Sequence, residues 1–157
     1  MRLKRVIAGG QTGADRAGLE CAKALGLETG GTAPKGYRTD AGPDPTLKDL
    51  GLVESFSTGY PIRTSQNVKD SDATVWFGDS TSPGYRCTLR ATIVHSKTLY
   101  ENPTNLVDIA DKYAIINIAG NRARTNPRVV QQVIDAFAPL ACRASAHVGK
   151  TSDTHGH

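Results

Sequence analysis

The sequence predicts a single three-layer α/β domain with a largely parallel, doubly wound sheet. Two observations carry this. Three short apolar runs, 6–8, 73–78 and 114–120, alternate with segments of helical period, and such alternation builds a parallel sheet covered on both faces. Each run also ends in glycine followed by amide, hydroxyl or guanidinium side chains, as strand ends do where an open α/β sheet forms a ligand crevice. A chain of 157 residues can enclose one full core and is short for two.

Val6-Ile7-Ala8 reads as a buried strand that turns through Gly9-Gly10 into a helix beginning at Thr12 or Gly13, with Leu19, Ala22 and Leu25 on one face. A short strand is expected over Leu27–Gly31. Loop chemistry follows over 32–46, where Pro34, Pro43 and Pro45 accompany Gly36 and Gly42. A helical turn at Thr46–Leu50 and a strand at Leu52–Phe56 come next. A helix from Pro61 leads to the buried strand Ala73–Gly78. The helix over Pro83–Ser96 has Leu89, Ile93 and Val94 as its expected inner face. Lys97–Tyr100 reads as a strand, Thr104–Lys112 as a helix starting at a threonine cap, Ala114–Gly120 as the last strand, and Pro127–Pro139 as a helix packing Val129, Val130, Val133, Ile134 and Phe137. Residues 1–140 form the expected domain. Residues 141–157 lack an apolar period and are expected to be a disordered tail.

Composition narrows the function classes. No run reaches the length of a membrane span, and the N-terminus lacks the apolar core of a signal peptide, so a cytoplasmic protein is expected. Cys21, Cys87 and Cys142 are odd in number and widely spaced, which argues against a disulfide framework and a structural zinc site. No metal site is expected, and the local histidine, His95, stands alone. The net charge is +4, but the basic residues are scattered and not interleaved with aromatics. That pattern disfavours nucleic acid and suits an anionic small molecule.

The expected site lies at the strand ends. A strand feeding a helix through glycine points backbone N–H groups and the positive end of the helix dipole into one volume, which favours a phosphate or another oxyanion. Gly9, Gly10 and Gly13 would let a ligand approach the backbone, and Gln11, Thr12, Asp15 and Arg16 supply polar groups at the rim. The loop lacks the Lys-Ser/Thr pair of a Walker loop and the spacing of a dinucleotide fingerprint. The other two strand ends contribute Asp79, Ser82, Gly84, Tyr85, Arg86 and Thr88, and then Gly120, Asn121 and Arg122. Ser82 has a structural alternative as a helix cap ahead of Pro83. Arg63 could fork onto a phosphate, Asn67 could bond a base or ribose, and Lys35 with Arg38 could reach over the phosphates from the irregular loop. Asp70 and Asp72 suit a turn. No nucleophile stands out, since His95 lies the wrong way along its helix from Ser82 and Cys87, and the catalytic residues stay unassigned.

Gly9-Gly10-Gln11-Thr12-Gly13-Ala14-Asp15-Arg16-Ala17, Pro34-Lys35-Gly36, Tyr60-x-x-Arg63-Thr64-x-x-Asn67-Val68-x-Asp70-Ser71-Asp72-Ala73-Thr74 and Ser82-Pro83-Gly84 together resemble the molybdenum carrier family. This is the circularly permuted YpsA-like branch of the SLOG superfamily, related to the molybdenum cofactor carrier proteins. The resemblance spans roughly residues 4–140 and implies a Rossmann-like fold, a nucleotide-derived ligand and the molybdenum cofactor as a candidate cargo. Two departures matter. Tyr85 stands where many relatives carry threonine, and no glutamate follows Ser82-Pro83-Gly84 as it does in the cytokinin-releasing relatives, which speaks against N-glycosidic hydrolysis.

The expectation is therefore a carrier or sensor of a phosphorylated, nucleotide-like molecule. The alternative is a nucleotide or nucleoside-monophosphate hydrolase using Asp15 or Asp79 as acid/base. A protein-interaction module with an empty cleft is the third class. Self-association through the helices at 83–96 and 127–139 is expected as well.

Overall fold

The computed structural model describes the main chain over residues 1–155 and side chains through residue 143. Six strands form one parallel sheet: β1 (Arg5–Ala8), β2 (Glu28–Ala33), β5 (Leu52–Glu54), β6 (Ala73–Phe77), β7 (Thr98–Glu101) and β8 (Ile115–Gly120). Their order is β5-β2-β1-β8-β6-β7. Every pair in it is parallel, with Val6 opposite Ile116 and Val75 opposite Ile118. A two-stranded antiparallel hairpin, β3 (Arg38–Thr39) and β4 (Gly42–Pro43), stands apart from the sheet. The last strand, β8, lies at the centre and joins β5-β2-β1 to β6-β7.

The helices are α1 (Ala14–Ala24), α2 (Tyr60–Lys69), α3 (Pro83–Val94), α4 (Val107–Lys112) and α5 (Val129–His155), with a 3-10 turn at Pro45–Leu50. Side chains alternate across each strand, so the two faces of the sheet receive different residues. Val6, Val75, Phe77, Ile116 and Ile118 meet α1, α4 and α5 in the main apolar core. On the other face Thr74 and Asn117 bond each other, buried, beneath α2 and α3. This three-layer arrangement, with a parallel sheet between helices, is the Rossmann-like α/β architecture that the alternation of runs predicts.

That polar second face explains a misreading of α3. Its inner face is Thr88, Ala91 and Thr92, and Ile93 and Val94 are each 70% exposed. Small and hydroxyl-bearing residues fit against Thr74, Asn117 and Trp76, so the larger aliphatics turn outward. Ile134 is likewise exposed, although Val129, Val133 and Phe137 are buried as expected. The helix placed at Thr104 begins at Val107 instead, with Asn105 Oδ1 accepting the Val107 N–H, so Thr104 caps nothing. α5 runs on past Pro139, giving up the one i→i−4 bond that proline cannot donate. The disordered tail expected over 141–157 falls mostly on positions outside the described side chains.

A smaller core cluster, Ala8, Leu19, Ala33, Leu47, Leu50 and Leu52, sits under the first glycine turn. Gly10 belongs to it. Its φ is +81°, and a Cβ there would lie 2.6 Å from Leu47 Cδ1 and 2.9 Å from Leu52 Cδ2. Gly10 is therefore a packing glycine: the missing Cβ makes room for leucine side chains. Gly10→Val should destabilise the fold by roughly 2–5 kcal/mol, from left-handed backbone strain plus overpacking, measured by urea denaturation.

Candidate ligand-binding site

Because β1, β8 and β6 are adjacent and parallel, the three glycine-bearing strand ends lie at one edge of the sheet. There the loop after β1 makes several hydrogen bonds within itself and to the end of β8. The Gln11 N–H donates to Asp15 Oδ2 at 3.2 Å, the Thr12 N–H donates to Gln11 Oε1 at 3.0 Å, and the Ala14 N–H donates to the Asn121 carbonyl at 3.2 Å. Asp15 itself supplies the anion that the helix start attracts. Gly13, with φ +88°, presses against main-chain atoms of Asn121, Arg122 and Ala123. Gly120 is packed between Phe77 and Ala14. These glycines bring main-chain segments close together at the strand ends.

Gly9 has a different tenant. A Cβ there would strike the Arg63 guanidinium, with Cζ at 2.6 Å and Cδ at 2.8 Å. Arg63 enters from α2 through that space and pairs with Asp15 at 3.6 Å. Burial pushes the Asp15 carboxyl above its ordinary value, while the Arg63 charge and the main-chain N–H groups of Gln11 and Gly9 pull it back. Arg63 Nε and Gln11 Nε2 are buried donors with no partner among the described residues.

One helical turn before Arg63 stands Tyr60. Its ring faces three guanidinium groups: Arg38 at 5.0 Å, Arg122 at 5.2 Å and Arg63 at 5.4 Å from the centroid. Arg122 also pairs with Asp40 at 3.3 Å, and Arg124 reaches the same carboxylate at 4.0 Å. The Asp40 N–H donates to Gln11 Oε1 at 2.7 Å. Tyr60 and Asp40 are the residues that sequence reasoning missed. The Tyr60-x-x-Arg63 spacing was the available signal, since residues three apart share a helix face.

Beside this cluster lies a cleft of about 390 Å³ lined by Trp76, Asp79, Ser82, Pro83, Gly84, Gly120, Asn121, Arg122, Thr125 and Asn126. Arg122 belongs to both. Ser82 Oγ caps α3 by accepting the Tyr85 N–H at 3.3 Å, so the structural role weighed for it is present. Gly84 is the opening: a Cβ there would meet only Trp76, at an ordinary 3.5 Å. Asn121 ties the edge together. Its Oδ1 accepts the Asp79 N–H at 2.6 Å, its Nδ2 approaches Ser82 Oγ at 3.4 Å, and its own N–H donates to the Phe77 carbonyl.

Several expected residues do other work. Asn67 is buried, accepting the Thr32 N–H at 2.8 Å and donating to the Thr32 carbonyl at 3.0 Å, so its amide ties α2 to β2. The Asp79 carboxylate accepts both the N–H and the hydroxyl of Thr81, which hold it below the usual carboxylate range. Tyr85 packs edge-on against Trp76 and bonds Glu101, which raises its phenol above the ordinary value. Arg86 donates to the Thr81 carbonyl, and Thr88 is buried on the inner face of α3. Lys35 is exposed and makes no ion pair among the described residues. The structure does not bring these last five to the arginines or, Asp79 apart, to the cleft wall.

Asp15 has a pH signature. Its folded pKa lies above the unfolded value of 3.8, so its contribution to stability is fully present below that value and is lost as pH rises through the folded pKa. The stability of the wild type relative to Asp15→Asn should therefore fall as the solution is taken from acid toward neutral pH, read from denaturation midpoints across that range.

Among solved structures, the fold resembles the crystal structure of a putative molybdenum carrier protein from Syntrophus aciditrophicus SB. The TM-score is 0.77 and the identity 29%, covering 87% of this chain and 94% of that one. No curated protein matches the chain. The family model described as the circularly permutated YpsA SLOG family matches residues 6–140, a span that holds the sheet (but for Arg5), the Tyr60 arginines and the cleft. The chain belongs to the circularly permutated YpsA SLOG family.

Proposed function

We propose that this protein binds a phosphorylated, anionic small molecule at the C-terminal edge of its sheet and acts as a carrier or sensor. A nucleotide-like molecule and the molybdenum cofactor, whose pterin bears a phosphate, are the candidate cargoes. The observation that carries this reading is the gathering of Arg38, Arg63 and Arg122 around the Tyr60 ring beside an open cleft. Three like charges on one ring repel one another, and Asp15 and Asp40 offset only part of that charge. A phosphate offers several acceptor oxygens to planar guanidinium forks and completes the balance. The relative from Syntrophus, named as a molybdenum carrier, supports a cargo of this kind. Hydrolysis finds less support, because Asp15 is buried against Arg63 and the Asp79 carboxylate is engaged by Thr81.

Thermal shift and calorimetry with inorganic phosphate, AMP and adenosine test the reading. Phosphate and AMP should stabilise the protein and adenosine should not. Arg122→Ala should weaken AMP by about 1.5–3 kcal/mol, the range for one charged hydrogen bond. No response to any phosphorylated compound overturns the proposal, as does rapid release of base or phosphate from AMP.

Self-association forms the second part of the reading, supported by Ile93 and Val94, which α3 leaves exposed. Light scattering should give a mass above that of one chain. A monomer mass across a wide concentration range overturns it.

A further inference from the structure

On the second face of the sheet, α2 and α3 leave between them a groove of about 380 Å³. Pro61 of α2 and Cys87, Ala91 and Val94 of α3 give it an apolar lining, and Arg86 and Arg90 stand along it. These two arginines are four positions apart on one helix, so their like charges work against α3. Neither is answered by an acid among the described residues. Arg86 donates to the Thr81 carbonyl, and the exposed Arg90 makes no hydrogen bond or ion pair there.

The complement of this groove stands on the same chain. Val53 of β5 is 60% exposed, and Phe56, at 83%, is the most exposed large apolar side chain among the described residues. Between them Glu54 is exposed and forms no ion pair among those residues; one of its oxygens accepts the Gly36 N–H at 2.6 Å. The loop carrying Phe56 is braced. The Lys35 N–H donates to the Ser57 carbonyl, Arg38 donates to the Thr58 carbonyl, and the Gly59 N–H donates to Ser57 Oγ. A partner that covers Phe56 therefore has little loop entropy to overcome.

Segment and groove also adjoin, because the Phe56 loop leads directly into α2, whose Pro61 forms part of the groove wall. A face that holds both a projection and its matching groove is self-complementary, and a two-fold axis lets each copy fill the groove of the other. Packing α3 squarely on α3 would instead set Arg86 and Arg90 against the same arginines of the second copy, with no acid between them.

Resting on the self-association reading above, we propose that the α2–α3 groove is the interface with a second copy of this chain and receives the Val53–Phe56 segment of that copy. Phe56 enters the apolar lining and Glu54 pairs with Arg90. The two-fold axis makes each contact twice, so a single substitution acts twice on the dimer.

Sedimentation equilibrium of the full chain is the test. The wild type should be a dimer. Phe56→Ser alters a side chain outside the core and should weaken the dimer at least about tenfold, as should Arg90→Glu, which turns two attractions into two repulsions. Combining Glu54→Arg with Arg90→Glu should recover most of the affinity that Arg90→Glu loses, a recovery that a merely unfolded variant cannot give. A wild-type dimer that Phe56→Ser and Arg90→Glu both leave intact overturns the groove assignment, as does a dimer broken only by Ile93→Asp on the outer face of α3. A wild type that stays monomeric at all concentrations overturns the self-association reading beneath it.

Discussion

Arg63 of α2 reaches Asp15 of α1 through the space that Gly9 leaves by having no Cβ. Two helices on opposite faces of the sheet are thereby pinned to one another across the end of β1. A buried pair of this kind is a poor source of net stability, since desolvation of both charges offsets most of their attraction. Removing one partner, however, leaves the other buried and uncompensated. The pair is therefore kept as a unit, and its consequence is geometric. With Arg63 fixed, Tyr60 one turn earlier is fixed too, and its ring becomes the surface on which Arg38 and Arg122 assemble. Arg38 and Arg122 reach that ring with further anchors of their own, the Thr58 carbonyl and Asp40.

Asn121 performs the matching task on the other side of the edge. Through its main chain and amide it links the end of β8 to the end of β6, to the start of α1 and to the cap of α3. The glycine turn after β1 is thus packed against the end of β8, while the α3 entrance, with Gly84 facing open space, is left accessible. The two helix starts look alike in sequence and differ in structure because one contains its own carboxylate in the first turn and the other begins with Ser82-Pro83.

Most of the fold was legible because it depends on periodicity. The three strong strands, their order of alternation with helices and their shared edge follow from runs such as Ala73–Phe77, buried at every position. The inner face of α3 was not legible, since its partners Thr74 and Asn117 come from strands whose pairing no local pattern reveals. The site divides the same way. Arg63, Asn121 and Arg122 stand at strand or helix ends and could be nominated from sequence. Asp40 could not, because its meeting with Arg122 spans 82 positions and depends on how an irregular loop returns to the sheet. The glycines show the same limit: a residue without a Cβ shows that something comes close, and tertiary contacts decide what it is.

The position of β8 bears on how the molecule comes into being. Until residues 115–120 have left the ribosome, β1 has no neighbour on one side and β6 none on one of its own, so the nascent chain holds two half-sheets connected through α2 and its flanking loops. Pairing over such sequence separation closes slowly. Arg122 and Asn121 follow that strand directly, so the cleft and the arginine ring come together in the same closing event as the sheet. A chain stalled before β8 consequently exposes strand edges and lacks the cleft wall that Asn121 and Arg122 supply.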